Sequence, residues 1–227
     1  MPILIPTLIV AVSMNPTIEP SRGGHFLALG DSYTIGEGVA AEGRWPAQLA
    51  RRLRADGISI GDPDIVATTG WTTDELSTAM DKASFTPPYA LVTLLIGVNN
   101  QYRGRDVANY RKEFSGLLSR AIALAGEHVE HVIVVSIPDW GVTGFARDAG
   151  RDPHRIAIEI DAFNATAREI AHDRGCAFVD VTALSRTAGN TDDMLVADRL
   201  HPSAAQYSLW AEAILAAARQ AMAPTRR

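Results

Sequence analysis

Cysteine is scarce in this chain of 227 residues, which contains only Cys176. No intramolecular disulfide can form, and this mildly favours a cytoplasmic protein over a disulfide-stabilised secreted one. Cys176 opens the apolar stretch of residues 176–179 (CAFV), so we interpret it as a small buried side chain rather than a reactive thiol.

An excess of basic residues is also lacking. The chain has 21 Lys and Arg against 26 Asp and Glu, for a net charge of -5. Binding to nucleic-acid phosphates needs a basic surface, so a nucleic acid is not expected as the main partner. The sequence has neither a GxGxxG nor a GxxxxGK[ST] phosphate-binding segment, and no HExxH-like metal spacing. These absences argue against a nucleotide site and a metal site.

No apolar run is long enough to span a bilayer. Residues 1–12 (MPILIPTLIVAV) are apolar but too few, so stable membrane insertion is not expected. A signal peptide would place a basic residue before its apolar core, whereas the first one here is Arg22. We therefore expect residues 1–24 to be an N-terminal extension and residues 25–227 to form the domain. Export through an atypical signal segment is the alternative to a cytoplasmic location.

Apolar runs and amphipathic segments alternate from residue 25 onward. Five runs read as buried strands: residues 25–29, 65–67, 90–96, 132–137 and 178–181. Helical periodicity follows them, as in Val107, Tyr110, Phe114 and Leu117. Strands joined through helices form parallel sheets covered on both faces. The pattern predicts a single three-layer α/β/α domain.

Four polar segments fall at the expected carboxyl ends of strands or before the last helix. They are residues 30–33 (GDSY), 68–71 (TTGW), 97–100 (GVNN) and 198–202 (DRLHP). Ligands of parallel α/β sheets bind at that edge. We expect the four segments to meet there.

Acyl transfer needs a nucleophile and a base, and these segments offer both. Ser32 follows a strand, and Asp198 could orient His201 so that the imidazole takes the serine proton. Each residue also has an ordinary structural interpretation. Ser32 could cap a helix, Asp198 could pair with Arg199, and His201 is one of six histidines.

Donors for a developing oxyanion are the third requirement. Gly70 allows a tight turn with an exposed backbone N–H, and Asn99 could place its amide in the same cleft. A plain turn glycine and an asparagine satisfying local turn hydrogen bonds are the alternatives.

Together these segments resemble the four sequence blocks of the SGNH, or GDSL, hydrolase family of esterases and lipases. The resemblance runs from about residue 25 to the end of the chain. It implies a flavodoxin-like parallel five-stranded sheet in the order 2-1-3-4-5 and no metal or organic cofactor. It also implies that Ser32, His201 and Asp198 form a catalytic triad. The backbone N–H groups of Ser32 and Gly70 and the Asn99 amide would then form the oxyanion hole.

The chain departs from the family pattern at Asn100, where the family usually has aspartate after Asn99. We expect activity to survive this change, with a different anchor for the loop that holds Asn99. The segment around Ser32 also lacks the second glycine of the Gly-x-Ser-x-Gly nucleophile elbow, which separates the chain from the α/β-hydrolase fold.

Several apolar side chains near the expected site are candidates for substrate contact: Tyr33, Trp71, Trp140, Val142 and Phe145. The chain is too short for a large lid, so a short-chain carboxylic ester or an acetyl ester of a carbohydrate is the preferred small-molecule partner. Thioesterase or lysophospholipase activity would use the same machinery. The alternative from another class is a non-catalytic ligand-binding domain. The sequence does not predict the oligomeric state.

Overall fold

Five strands and nine α-helices alternate along the part of the chain that the computed structural model describes, residues 24–189 and 191–223. The predicted extension over residues 1–24 lies outside this part except for Gly24. The strands are β1 Gly24–Gly30, β2 Ile60–Ala67, β3 Leu91–Leu95, β4 Val132–Val135 and β5 Ala177–Val179. The helices are α1 Ser32–Ile35, α2 Trp45–Ala55, α3 Thr73–Lys82, α4 Val98–Tyr102, α5 Val107–Leu124, α6 Gly144–Asp148, α7 Pro153–Asp173, α8 Thr182–Ala188 and α9 Ala204–Ala221.

The strands form one parallel sheet in the order β2-β1-β3-β4-β5, which confirms the predicted topology. Leu27 of β1 lies between Asp64 of β2 and Val92 of β3. The strand order reverses at β1, because the chain goes first to one side of this strand and then to the other. Such a reversal opens a crevice at the carboxyl ends of the two flanking strands, here β1 and β3.

The edge strand β2 differs most from expectation, since it begins at Ile60 and not at residue 65. Its burial alternates along the strand, and its first half contains Gly61, Asp62 and Pro63. An edge strand tolerates proline and polar side chains because one side has no neighbouring strand. The central strand β3 is buried throughout, and its apolar run, interrupted only by Thr93, made it easy to recognise.

Helices cover both faces of the sheet. On one face α2 packs against α9, and on the other α5 packs against α3 and α7. Trp45 of α2 and Trp210 of α9 are fully buried. In the opposite layer the rings of Tyr110 and Phe163 lie 4.7 Å apart, which joins α5 to α7. The two helical layers hold the sheet in place, and with it the edge at which the four polar segments meet.

Cys176 is buried directly before β5, and burial raises the pKa of its thiol to about 11. This agrees with the structural role expected for it. Within residues 24–189 and 191–223, no helix combines the length and the apolar character that a membrane span requires.

Gly97, which precedes α4, offers a test of how tightly this edge is packed. Its φ is +129°, and an added Cβ would lie 2.6 Å from Tyr110 Cε2 and 3.0 Å from Ile137 Cδ1. We expect Gly97→Ala to lower the free energy of unfolding by about 2 kcal/mol or more, measured by urea denaturation. Gly116, exposed in α5 with no neighbour within 4 Å of an added Cβ, is the control. Gly116→Ala should raise stability by roughly 0.5–1 kcal/mol. Equal effects of the two changes would contradict the packing described here.

Candidate active site

Ser32 is the first residue of the short helix α1, directly after β1 and Asp31. The helix is capped by Asp31, whose Oδ1 accepts a hydrogen bond from the Tyr33 N–H at 3.0 Å. The Ser32 hydroxyl is therefore not used as a cap. Its Oγ lies 2.8 Å from Nε2 of His201, and both side chains are buried.

The other ring nitrogen of His201, Nδ1, lies 2.6 Å from Oδ2 of Asp198. The second oxygen of this carboxylate accepts the backbone N–H groups of Leu200 at 2.8 Å and His201 at 2.9 Å. Arg199 does not compete for Asp198, because it forms an ion pair with Asp148 at 2.5 Å. Asp198, His201 and Ser32 thus form one continuous hydrogen-bonded series.

The carboxylate of Asp198 stays ionised in this setting. Partial burial acts to raise its pKa, but the hydrogen bonds from the His201 ring and from the backbone of His201 and Leu200 outweigh burial and lower the pKa below its usual value. An ionised partner at Nδ1 holds the imidazole so that Nε2 faces the hydroxyl and stabilises an imidazolium once the ring takes a proton.

Arg199, inside the same loop, has a left-handed backbone with φ of +59°. This conformation is uncommon for a residue with a side chain, so the surrounding structure must hold it. The Phe145 N–H donates to the Arg199 carbonyl at 3.0 Å, and the ion pair with Asp148 fixes the side chain. Gly144 makes room, because a Cβ there would lie 2.6 Å from Arg199 Nε. The segment that follows β4 therefore supports the loop that carries His201.

Asn99 lies in the first turn of α4, and its Nδ2 donates to the Trp71 carbonyl at 2.9 Å. This bond joins the segments after β2 and β3 and leaves one amide hydrogen of Asn99 available. Gly70 has a φ of +87°, which favours glycine, and its carbonyl accepts from Arg103 at 2.6 Å. Within the described chain, neither the Ser32 N–H nor the Gly70 N–H donates to a protein acceptor. Three unused donors therefore border one cavity.

Asn100, the position at which the chain departs from the family pattern, anchors this loop. It is fully buried, and its Oδ1 accepts the Thr73 N–H at 3.0 Å while its Nδ2 donates to Thr73 Oγ1 at 2.6 Å. The Thr73 hydroxyl is then free to donate to the carboxylate of Glu113. The amide thus serves as acceptor and donor at once, and an aspartate could act only as an acceptor in its ionised form.

The cavity beside Ser32 and His201, here called the catalytic pocket, has a volume of about 210 Å³. Tyr33, Trp140 and Phe145 line it, as predicted. Trp71 and Val142, also expected to contact substrate, are not among the residues that line it. The Trp71 side chain packs against the hydrophobic core, and its carbonyl accepts the Asn99 amide. Val142 lies in a 3₁₀ turn and contributes its carbonyl to Arg147.

Four residues of the pocket wall were missed in the sequence: Thr69, Val98, Tyr102 and Leu200. Three of them are direct chain neighbours of Gly70, Asn99 and His201. Tyr102 follows Asn99 by three residues on α4, a spacing that places both on one side of a helix. Their closeness in sequence to the motif residues could therefore have predicted that they line the pocket.

Tyr33 does more than line the pocket, since it is almost completely buried beneath His201. Its ring centroid lies 5.4 Å from that of His201 and 6.1 Å from that of Trp210. The Trp45 indole donates to the Tyr33 carbonyl at 3.1 Å, which ties α1 to α2. This packing limits the movement of both Ser32 and the imidazole.

Among the residues that the structure describes, no group of three or more His, Cys, Asp or Glu side chains is arranged to hold a metal ion.

A parallel sheet that carries a buried serine and a buried histidine, joined in series to a half-exposed aspartate, defines a serine hydrolase. The model of the GDSL-like lipase/acylhydrolase family matches residues 28–209, which include all four motif segments. The chain belongs to this family and is a hydrolase of ester bonds. A search of curated protein sequences found no match.

Solved structures with the same fold share little sequence with the chain. A lipase/acylhydrolase from Enterococcus faecalis is 21% identical, with a TM-score of 0.68 over 90% of this chain and 100% of that one. An acetylxylan esterase from Geobacillus stearothermophilus is 21% identical, with a TM-score of 0.67 over 90% and 98%. The crystal structure of TesA is 19% identical, with a TM-score of 0.66 over 88% and 99%. At these identities the likeness establishes the α/β/α fold.

Asp31 gives the site a pH-dependent stability. Complete burial raises its pKa from the usual 3.8 to about 7, against the lowering effect of its hydrogen bond from the Tyr33 N–H. Its Oδ2 is buried without a partner in the described chain. The folded protein holds the proton that the unfolded chain releases above pH 4, so stability falls as the pH rises from roughly 4 to 7.

We expect Asp31→Asn to keep the cap and remove this loss. The melting temperature of the variant minus that of the unaltered protein should therefore be larger at pH 8 than at pH 4, measured by thermal unfolding at both pH values. Asp64→Asn, at an exposed position of the edge strand β2 and in no ion pair among the described residues, provides a control for the loss of one charge. A difference that does not change with pH would contradict a buried, protonated Asp31.

Proposed function

We propose that the protein is a serine esterase that hydrolyses short-chain carboxylic esters, or acetyl esters of carbohydrates, through an acyl-enzyme intermediate. The observation that carries this proposal is the unbroken series from Asp198 to His201 to Ser32, at 2.6 and 2.8 Å, at the wall of a small cavity. These distances are those at which a histidine removes a serine proton.

In the proposed mechanism Ser32 Oγ attacks the ester carbonyl carbon while His201 Nε2 takes its proton. The tetrahedral intermediate collapses when the imidazolium returns this proton to the leaving alcohol, which leaves an acyl group on Ser32. Water then attacks the acyl carbonyl with His201 again as base, and the acid departs as the imidazolium returns the proton to Ser32 Oγ. Asp198 holds the ring and stabilises its charged form in both halves of the reaction.

The negative charge that develops on the carbonyl oxygen needs donors already in place. We assign this role to the backbone N–H groups of Ser32 and Gly70 and to the Asn99 amide hydrogen that does not bind the Trp71 carbonyl. The bond to Trp71 supports this assignment, because it fixes the amide before substrate arrives. Donors that need no reorientation are the most effective at stabilising such a charge.

The preference for a short acyl group rests on the catalytic pocket. Its volume is about 210 Å³, below the range of cavities that hold drug-sized ligands, and its wall contains Tyr33, Phe145 and Leu200. A short apolar acyl group suits this volume. The fold relative from Geobacillus stearothermophilus is an acetylxylan esterase, which is compatible with an acetyl group here.

The proposal predicts the acyl preference and the independence from metal. p-Nitrophenyl acetate and butyrate should be hydrolysed in the presence of a chelator, with kcat/KM at least about tenfold above that of the laurate ester, measured in a spectrophotometric assay. Ser32→Ala should lower kcat by several orders of magnitude. Near-normal activity in that variant would contradict the proposal. Faster cleavage of a matched acetyl thioester than of the acetate would favour the thioesterase alternative.

Asn99 gives a second, independent test of the mechanism. Asn99→Ala should lower kcat by roughly 10²–10³ with little change in KM, because the amide acts on charge that exists only in the transition state. Asn109→Ala, which removes an amide that binds Glu113 on α5 outside the pocket, is the matched control and should stay within about twofold. A loss confined to KM in Asn99→Ala would rule out the oxyanion role.

A further inference from the structure

A second cavity adjoins the catalytic pocket and has no part in the mechanism described so far. Its volume is about 540 Å³, more than twice that of the pocket. Tyr102 and Trp140 line both cavities, so the two spaces share a wall. We call the larger one the arginine groove, because Arg105, Arg151 and Arg155 lie along it.

The floor of the arginine groove is held by a relay of hydrogen bonds. The Trp140 indole donates to Gln101 Oε1 at 2.8 Å, and Gln101 Nε2 donates to Glu159 Oε2 at 2.7 Å. Arg155 Nε completes the relay by donating to Glu159 Oε1 at 2.8 Å. These polar groups satisfy each other, so they hold the Trp140 ring in position and have fewer bonds to offer a ligand.

Most charged side chains of the groove are also engaged. Arg105 forms an ion pair with Asp74 at 2.5 Å, and Arg155 pairs with Glu159. The carboxylates of Asp106 and Asp152 cap α5 and α7. The three arginines and three carboxylates of the wall give no net charge, so selectivity for a charged ligand must come from an individual side chain.

Arg151 is that side chain. Its guanidinium carbon lies 5.2 Å from the centroid of the Tyr102 ring and 5.9 Å from that of Trp140, directly over the wall shared with the catalytic pocket. Of the arginines along the groove, it alone has no described carboxylate within 4.0 Å. Stacking on aromatic faces orients a guanidinium and leaves its N–H donors in the plane available.

We propose that the arginine groove binds the alcohol portion of the substrate and that Arg151 recognises a carboxylate or phosphate on that portion. This inference rests on the proposed function, since the short acyl group occupies the catalytic pocket and the rest of the ester needs another space. A guanidinium fork fits both oxyanions through paired hydrogen bonds.

The test compares acetate esters whose alcohols end in a carboxylate, a phosphate or a neutral amide. The alcohols are ω-hydroxyhexanoate, ω-hydroxyhexyl phosphate and the neutral ω-hydroxyhexanamide, and kcat/KM is measured for each. At low salt we expect kcat/KM for both anionic esters, or for the one whose oxyanion the groove selects, to be about fivefold to tenfold higher than for the amide. This is the effect that one partly exposed, charge-assisted hydrogen bond produces. Raising the ionic strength should reduce the ratio.

The decisive variant is Arg151→Gln, which should bring the ratio of anionic to neutral kcat/KM to about one. Arg174→Gln, a change of equal charge at the far end of α7, should preserve the ratio. The neutral ester acts as an internal reference for a folded, working triad. The role of Arg151 would be overturned if the ratio were near one in the unaltered protein, or if Arg151→Gln left the ratio unchanged. Either result would leave the proposed ester hydrolysis intact. Failure to cleave any of the three esters would instead contradict the proposed function.

Discussion

The hydrogen bond between the Ser32 hydroxyl and His201 Nε2 joins residues that are 169 positions apart in the chain. It can form only because the parallel sheet delivers the end of β1 and the segment before α9 to the same edge. Local bonds then set the two partners: Asp31 caps the turn that carries Ser32, and Asp198 binds both the backbone and the ring of His201. Tyr33, packed under the imidazole, prevents this contact from opening by a small shift of either element.

Each reactive group is kept available because another residue takes over its ordinary structural task. Asp31 caps the helix that Ser32 could have capped, and Asp148 binds the arginine that could have paired with Asp198. Asn99 makes one long-range bond to Trp71, and Asn100 anchors the loop to Thr73. The same division is present in the arginine groove, where the ion pairs of Arg105 and Arg155 leave Arg151 without a carboxylate partner among the described residues. Side chains whose hydrogen bonds are used within the protein thus support the site, and the side chains that remain available are those to which we assign contact with substrate.

Much of the fold could be predicted from the sequence, since β1, β3 and β4 are buried on both faces and consist of uninterrupted apolar residues over most of their length. The first half of β2 escaped prediction because an edge strand needs no such run. The motif residues were recognisable by their position after strands. The pocket wall was harder to predict, because Trp140 and Val142 belong to the same 3₁₀ turn and only Trp140 lines the pocket. Arg151 left no signal at all, as its surroundings come from α4 and the 3₁₀ turn after β4.

The most direct test of this account is to identify the residue that becomes covalently modified during turnover. The intact protein would be treated with a fluorophosphonate ester, which reacts with serine hydroxyls activated by histidine, and its peptides would be mapped by mass spectrometry. The account predicts one label per chain, on Ser32, with labelling blocked by a hydrolysable short-chain ester and lost in His201→Ala. A label on a different residue, or full esterase activity in protein whose Ser32 carries the label, would contradict it.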